Sequence, residues 1–144
     1  MGIEYTYPLT IEQDEAEFYL VTFPDVPEAG TDGETESAAL AEALDALLAA
    51  LGGYINAQQD IPKPSPVKPG QKAITLPSLV AAKLALYQAM RESRLSKAEL
   101  GHRLGASEAT IRRLLDLDHQ SHIRQVEAAL ELLGRRLVVI VEAA

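Results

Sequence analysis

Four prolines fall within the ten residues 61–70, Ile-Pro-Lys-Pro-Ser-Pro-Val-Lys-Pro-Gly. Each fixes φ and withholds an N–H, so no helix or interior strand runs through this stretch and the backbone there is extended and semi-rigid. Any fold of the chain is therefore arranged around that divider. With 144 residues there is material for one ordinary domain or two small ones.

Charge divides at the same place. Residues 1–60 hold thirteen Asp and Glu with no Lys or Arg, a formal charge of −13. All thirteen Lys and Arg of the chain follow Asp60, against eight acids, which makes the remainder +5. Separation this complete implies two surfaces with different partners. The acidic part attracts a basic protein and repels nucleic acid, while the basic part can approach a phosphate backbone.

Before the prolines, residues 3–11 and 17–23 are rich in β-branched and aromatic side chains and read as two strands joined by an acidic turn at 12–16. Pro24, Pro27, Gly30 and Gly33 then turn the chain, with a short third strand expected around 29–31. Thr35 or Ser37 can cap a helix whose positive end is complemented by Glu34 and Glu36. Ala38, Leu40, Ala41, Leu44, Leu47, Leu48 and Leu51 give that helix its apolar stripe, and Glu42 and Asp45 mark its wet side. The apolar stretch 38–51 reads as too short to span a bilayer. A strand at 72–76 completes a β-β-β-α-β unit.

After Pro77 the periodicity is helical, with helices expected at 78–91, 97–104, 108–115 and 123–133. Residues 136–141 are a strand by composition. A lone strand among helices needs either the N-terminal sheet or a copy of itself from a second subunit. The second is favoured, which makes Leu137, Val138, Val139, Ile140 and Val141 the dimerisation segment. The fold class is thus α+β, with an acidic α+β domain at 1–60, the proline segment and last strand at 61–76, and an all-α domain at 77–144.

The strongest functional signal is residues 95–115. Ser96 and Glu99 form an S-x-x-E capping box, Gly101 leaves room for a crossing helix, Gly105 supplies a positive φ, and Ser107 caps the next helix. Leu95, Ala98, Leu100 and Leu104 bury the first helix, and Ile111, Leu114 and Leu115 the second. This is the plan of a helix-turn-helix that lays its second helix in the DNA major groove. On that basis Glu108, Ala109 and Arg113 face bases, while Ser107, Thr110, Arg112 and Arg103 face the DNA backbone. The plain alternative is a helical hairpin with a solvated Arg112–Arg113 face.

Other chemistry finds little support. There is no Cys, hence no disulfide framework and no thiolate metal site, which fits a reducing cytoplasmic interior. The N-terminus has neither the basic nor the apolar region of a signal peptide. His102, His119 and His122 lack the helical i, i+4 carboxylate spacing of zinc sites and read as polar surface or phosphate contacts. Paired acids can hold Mg²⁺ in a nuclease, but these fall mainly in turns and on a helix face. No metal, cofactor or catalytic residue is expected.

Several stretches together resemble the HicB-family antitoxins of bacterial type II toxin–antitoxin pairs. They are Tyr5-Thr-Tyr-Pro-Leu-Thr-Ile, Phe18-Tyr-Leu-Val-Thr-Phe-Pro-Asp-Val-Pro, Glu28-Ala-Gly-Thr-Asp-Gly-Glu-Thr, the Ala-rich helix, the proline segment and the helix-turn-helix with its closing strand. The resemblance implies a partial RNase H-like N-terminal domain without nuclease activity. That domain would occlude HicA, a small basic ribonuclease, and the C-terminal domain would dimerise and repress the operon from a palindromic operator. Toxin contacts do not transfer as a motif; Glu28, Asp32, Glu34 and Glu36 are the expected surface. The rival readings are a stand-alone regulator with a ligand-sensing N-terminal domain and a metal-dependent nuclease.

Overall fold

The computed structural model describes residues 2–144, which divide into two units at the Leu76–Pro77 bond. In the first unit the segment expected as one strand serves two sheets. Strand β1 (Thr6–Pro8) pairs antiparallel with β5 (Ala73–Thr75), whereas β2 (Thr10–Gln13) pairs with β3 (Tyr19–Thr22), which pairs with β4 (Gly30–Gly33). The cause lies in two prolines. Continuing the register Thr10↔Thr22 by two residues sets Pro8 opposite Pro24, and neither has an N–H for the ladder. Leu9 therefore turns its N–H to the carbonyl of Lys72 at 2.9 Å, extending the β1–β5 pairing instead.

Helix α1 (Glu36–Asn56) starts where Thr35 Oγ1 accepts the N–H of Ala38 at 3.0 Å. It runs through Gly52 and Gly53 to Asn56, 21 residues in all, Tyr54 and Ile55 carrying it past the two glycines. By length and mean hydropathy it could cross a membrane, contrary to the sequence expectation. Its residues Ala39, Ala43, Leu47 and Leu51, at four-residue steps, are nevertheless fully buried in this unit. They pack on β3 and β4 with Val21, Phe23 and Val26, which makes α1 the core helix of the unit.

The second unit contains α2 (Ser78–Ser93), α3 (Lys97–Leu104), α4 (Glu108–Leu115) and α5 (Ile123–Leu132). Its core joins Leu84 and Leu86 of α2, Leu100 of α3, Ile111 and Leu114 of α4, and Val126 and Leu130 of α5. Ala98, expected in the buried stripe of α3, is exposed, and Leu100 and Gly101 are the buried residues of that helix. The strand expected at 136–141 is not formed within the single chain, where Val138, Val139, Ile140 and Val141 are exposed.

Candidate nucleic-acid and protein interfaces

The α3–α4 pair is fixed by three local devices. Ser96 Oγ accepts from the N–H of Glu99 at 3.0 Å, and Ser107 Oγ accepts from the N–H of Thr110 at 3.1 Å. Gly105 takes φ +68° at the end of α3, a conformation that costs a side chain strain. A Cβ on Gly101 would lie 2.7 Å from the carbonyl oxygen of Ala106, so only glycine lets the turn close this tightly against α3.

Burial of Ile111, Leu114 and Leu115 turns the opposite side of α4 to solvent. Glu108, Arg112 and Arg113 are exposed there, Ala109 and Thr110 are half-buried beside them, and Arg103 is exposed on α3. Two of the expected base- and backbone-reading groups are engaged with each other: Arg112 Nη1 lies 3.3 Å from Glu108 Oε1. This is a solvated i, i+4 pair, worth about 0.3–0.5 kcal/mol and easily exchanged for a phosphate. Ser107 is likewise occupied, since its hydroxyl also meets Thr110 Oγ1 at 2.9 Å. Arg113 carries a guanidinium with no ion-pair partner among the described residues.

The other side of Arg113 was not foreseen. Its backbone carbonyl accepts from Lys83 Nζ at 2.9 Å, and Lys83 is a fully buried lysine on α2. Lys83 falls three residues after Val80 and four before Tyr87, so its place on the buried stripe was readable, although its partners were not.

In the first unit the four acids expected to meet a protein partner do not share a face. Glu28 accepts from the Tyr54 hydroxyl at 2.7 Å, a hydrogen bond that holds its carboxyl below the usual range. Glu36 Oε1 lies 3.9 Å from Lys72 Nζ, and Glu34 follows β4 at the start of the helix. Asp32 stands elsewhere, on the outer face of the three-stranded sheet. There the register sets Glu12, Leu20 and Asp32 side by side across β2, β3 and β4. Leu20 is 36 % exposed, while its neighbour Val21 is buried on the side that α1 covers. Glu12 and Asp32 are exceptions to the reading that the acids fall mainly in turns and on a helix face, since both lie on strands. They flank β3, roughly 10 Å apart at two strand spacings, too far to clasp one metal ion.

A family profile described as the HicB-like antitoxin of a bacterial toxin–antitoxin system matches residues 6–85. The chain belongs to the HicB-like antitoxin family. It is 38 % identical over 136 residues to Antitoxin HicB 1 of Photorhabdus laumondii, covering 94 % of this chain and 86 % of that one. It is 37 % identical over 134 residues to Antitoxin HicB of Escherichia coli K12, covering 93 % and 97 %. A solved structure, the N-terminal domain of Burkholderia pseudomallei antitoxin HicB, matches with TM-score 0.41 and 25 % identity over 50 % of this chain and 95 % of that one. Members of the HicB-like family are antitoxins and not enzymes, so neither interface needs a catalytic group.

Proposed function

We propose that this HicB-like antitoxin neutralises a HicA-type mRNA interferase with its first unit and represses its own operon with its second. It acts in the cytoplasm as a homodimer on a palindromic operator. The observation that carries the reading is the division of charge between the two compact units. Residues 1–76 have thirteen acids against Lys63, Lys68 and Lys72, whereas ten of the thirteen basic residues belong to 77–144.

A cationic ribonuclease presents to RNA a face that an anionic protein can occupy in its place. The outer sheet face suits that task, with Leu20 between Glu12 and Asp32 offering apolar contact framed by carboxylates. It replaces the dispersed set Glu28, Glu34 and Glu36 as the centre of the toxin-binding surface, and Asp32 is common to both. The unit is read as a partial RNase H-like domain without nuclease activity.

In the second unit α3 and α4 serve as a helix-turn-helix, with α4 in the major groove. Arg113, Glu108 and Ala109 meet base edges, and Ser107, Thr110, Arg112 and Arg103 meet the backbone. A dimer would place its two copies of α4 about one helical turn apart, near 34 Å, on an operator with matching symmetry.

The deciding experiment divides the chain. Residues 1–76 are expected to bind and inhibit the small basic protein encoded beside this gene and to ignore operator DNA, and residues 77–144 to do the reverse. Operator binding by 1–76, or indifference of 1–76 to the neighbouring gene product at low ionic strength, would refute the division.

A further inference from the structure

Among the described residues Lys83 is the one buried charged side chain, with no exposed surface. It leaves α2 on the side of Val80, Leu84 and Tyr87, all buried. Its ammonium reaches four oxygens: the carbonyls of Arg113 at 2.9 Å, Asp116 at 2.6 Å and His119 at 2.8 Å, and Ser121 Oγ at 2.9 Å. No carboxylate pairs with it among the described residues. Asp116 instead uses its side chain to accept from the N–H of Asp118 at 3.0 Å.

The oxygens form a cage of a particular kind. Helix α4 ends at Leu115, where the negative end of its dipole lies; there the Arg113 carbonyl also accepts the Asp116 N–H at 3.2 Å and the Asp116 carbonyl the His119 N–H at 3.1 Å. Two of the three caged carbonyls, Arg113 and Asp116, lie at that end, and the third begins the return toward α5. Ser121 completes the ring, touching His119 Nδ1 at 2.9 Å and the Arg113 carbonyl at 3.4 Å. One cation therefore holds the end of α4 and the loop 116–121 to α2.

We propose that Lys83 is the positioning residue for DNA recognition, its ammonium filling this carbonyl cage and so setting the direction in which α4 presents Arg112 and Arg113. The proposal rests on the DNA-reading role given to α4 above. Stability alone is a poor reason for the residue. Burying an ammonium is expensive, and well-packed apolar side chains commonly hold helices together as firmly. Desolvation lowers the pKa of Lys83, with Asp116 opposing, so its charge is kept against the preference of the interior. What the ammonium supplies and an apolar group lacks is direction: donors aimed at carbonyls whose positions follow the rotation of α4 about its axis.

The test uses the full chain, a duplex from the region upstream of its own gene, and a scrambled duplex of equal length at one salt concentration. The quantity read is the ratio of the two affinities. Lys83→Met is expected to keep its helical circular dichroism and its binding to scrambled DNA while losing about tenfold or more of the preference, within the range that specific contacts supply. Lys83→Ala should recover preference with added ethylammonium and not with ethanol. A folded Lys83→Met protein with wild-type preference overturns the proposal, and so does rescue by ethanol equal to rescue by the amine.

If both variants unfold, the pH profile decides. Lys83 and Lys97 are the lysines of 77–144, so in a Lys97→Arg chain the remaining lysine there is Lys83. His119 and Asp116 face the cage from the loop after α4, and Tyr87 lies one turn along α2. Preference should fall as pH approaches 10.5, the ordinary lysine value, while the helical signal holds; a flat profile overturns the proposal. A wild-type chain without preference for the upstream duplex sinks the DNA-reading role of α4, and the assignment with it. Wild-type preference beside an unchanged Lys83→Met sinks the assignment alone.

Discussion

The phenolic hydroxyl of Tyr7 donates to the carbonyl oxygen of Pro62 at 2.7 Å, joining β1 to the proline segment 55 residues further on. Tyr7 has no exposed surface, and burial, first among the causes, raises its pKa far above that of a free tyrosine. A second tie lies nearby, where Asp25 accepts from the Ser65 N–H at 2.7 Å and the Ser65 hydroxyl at 2.6 Å. The segment is thus strapped onto the first unit at two points. Tyr7→Phe leaves the fold intact and the Pro62 carbonyl without its donor, and should cost about 1–2 kcal/mol in denaturant unfolding. An unchanged midpoint would mean that the strap contributes nothing.

Gly101→Ala probes the α3–α4 turn. The added methyl would lie 2.7 Å from the Ala106 carbonyl oxygen, and a backbone atom cannot step aside as a flexible side chain can. Overpacking of this kind costs about 1–3 kcal/mol. Thermal unfolding of the second unit should shift down and operator affinity should fall with it. The control is Gly52→Ala, where nothing lies within 4 Å of the new atom and a helix interior prefers alanine.

These two sites show where the sequence was legible. Local signals carried far: Ser96, Gly105 and Ser107 each act within a few residues, and α3 and α4 lie at the expected 97–104 and 108–115. The division of one strand between two sheets was not legible, because it depends on Pro8 meeting Pro24 through a register that no local pattern displays. The cage around Lys83 was hidden for a related reason, since its acceptors are backbone carbonyls 30 or more residues away. Carbonyls belong to every residue and leave no mark in composition. The acidic surface was legible as a total charge, but its layout follows strand alternation, which separates Asp32 from Glu28 and joins it to Glu12 and Leu20.

Lys83 also fixes the sign of a pH effect on stability. Its native pKa is lowered, so between that depressed value and 10.5 the unfolded chain binds the proton that the native chain has released. Stability attributable to Lys83 therefore rises with pH through this window. Tyr7, with a raised native value, works in the opposite sense above 10. Subtracting the Lys83→Met profile from the wild-type profile in urea unfolding removes the tyrosine contribution. The difference should slope upward toward pH 10.5; a downward slope would contradict the desolvated lysine.

Arg113→Ala separates two roles of an exposed guanidinium. If Arg113 meets a base edge, affinity for operator falls by about 1–3 kcal/mol while binding to scrambled DNA changes little. If it meets phosphate only, both affinities fall alike and the salt dependence of binding flattens by about one unit of slope. The base-reading role predicts the first pattern, checked by fluorescence anisotropy across a salt series.

At the C-terminus, Val138, Val139, Ile140 and Val141 are 64, 67, 75 and 92 % exposed, a run of β-branched side chains turned largely to solvent in the single chain. Full burial of one such side chain is worth about 1.5–3 kcal/mol, and an unpaired strand invites a second strand to its edge. An antiparallel pairing with the same segment of another copy, which includes Leu137, would bury this run about a twofold axis and set the two copies of α4 in opposed directions. Val139→Lys, which puts two charges close together across that axis, should yield monomers in sedimentation equilibrium. Its affinity for a palindromic operator should fall toward that for a single half-site, while inhibition of the toxin by the first unit persists. A wild-type chain that remains monomeric at micromolar concentration, or a Val139→Lys chain that remains dimeric, would remove the segment from the dimer interface.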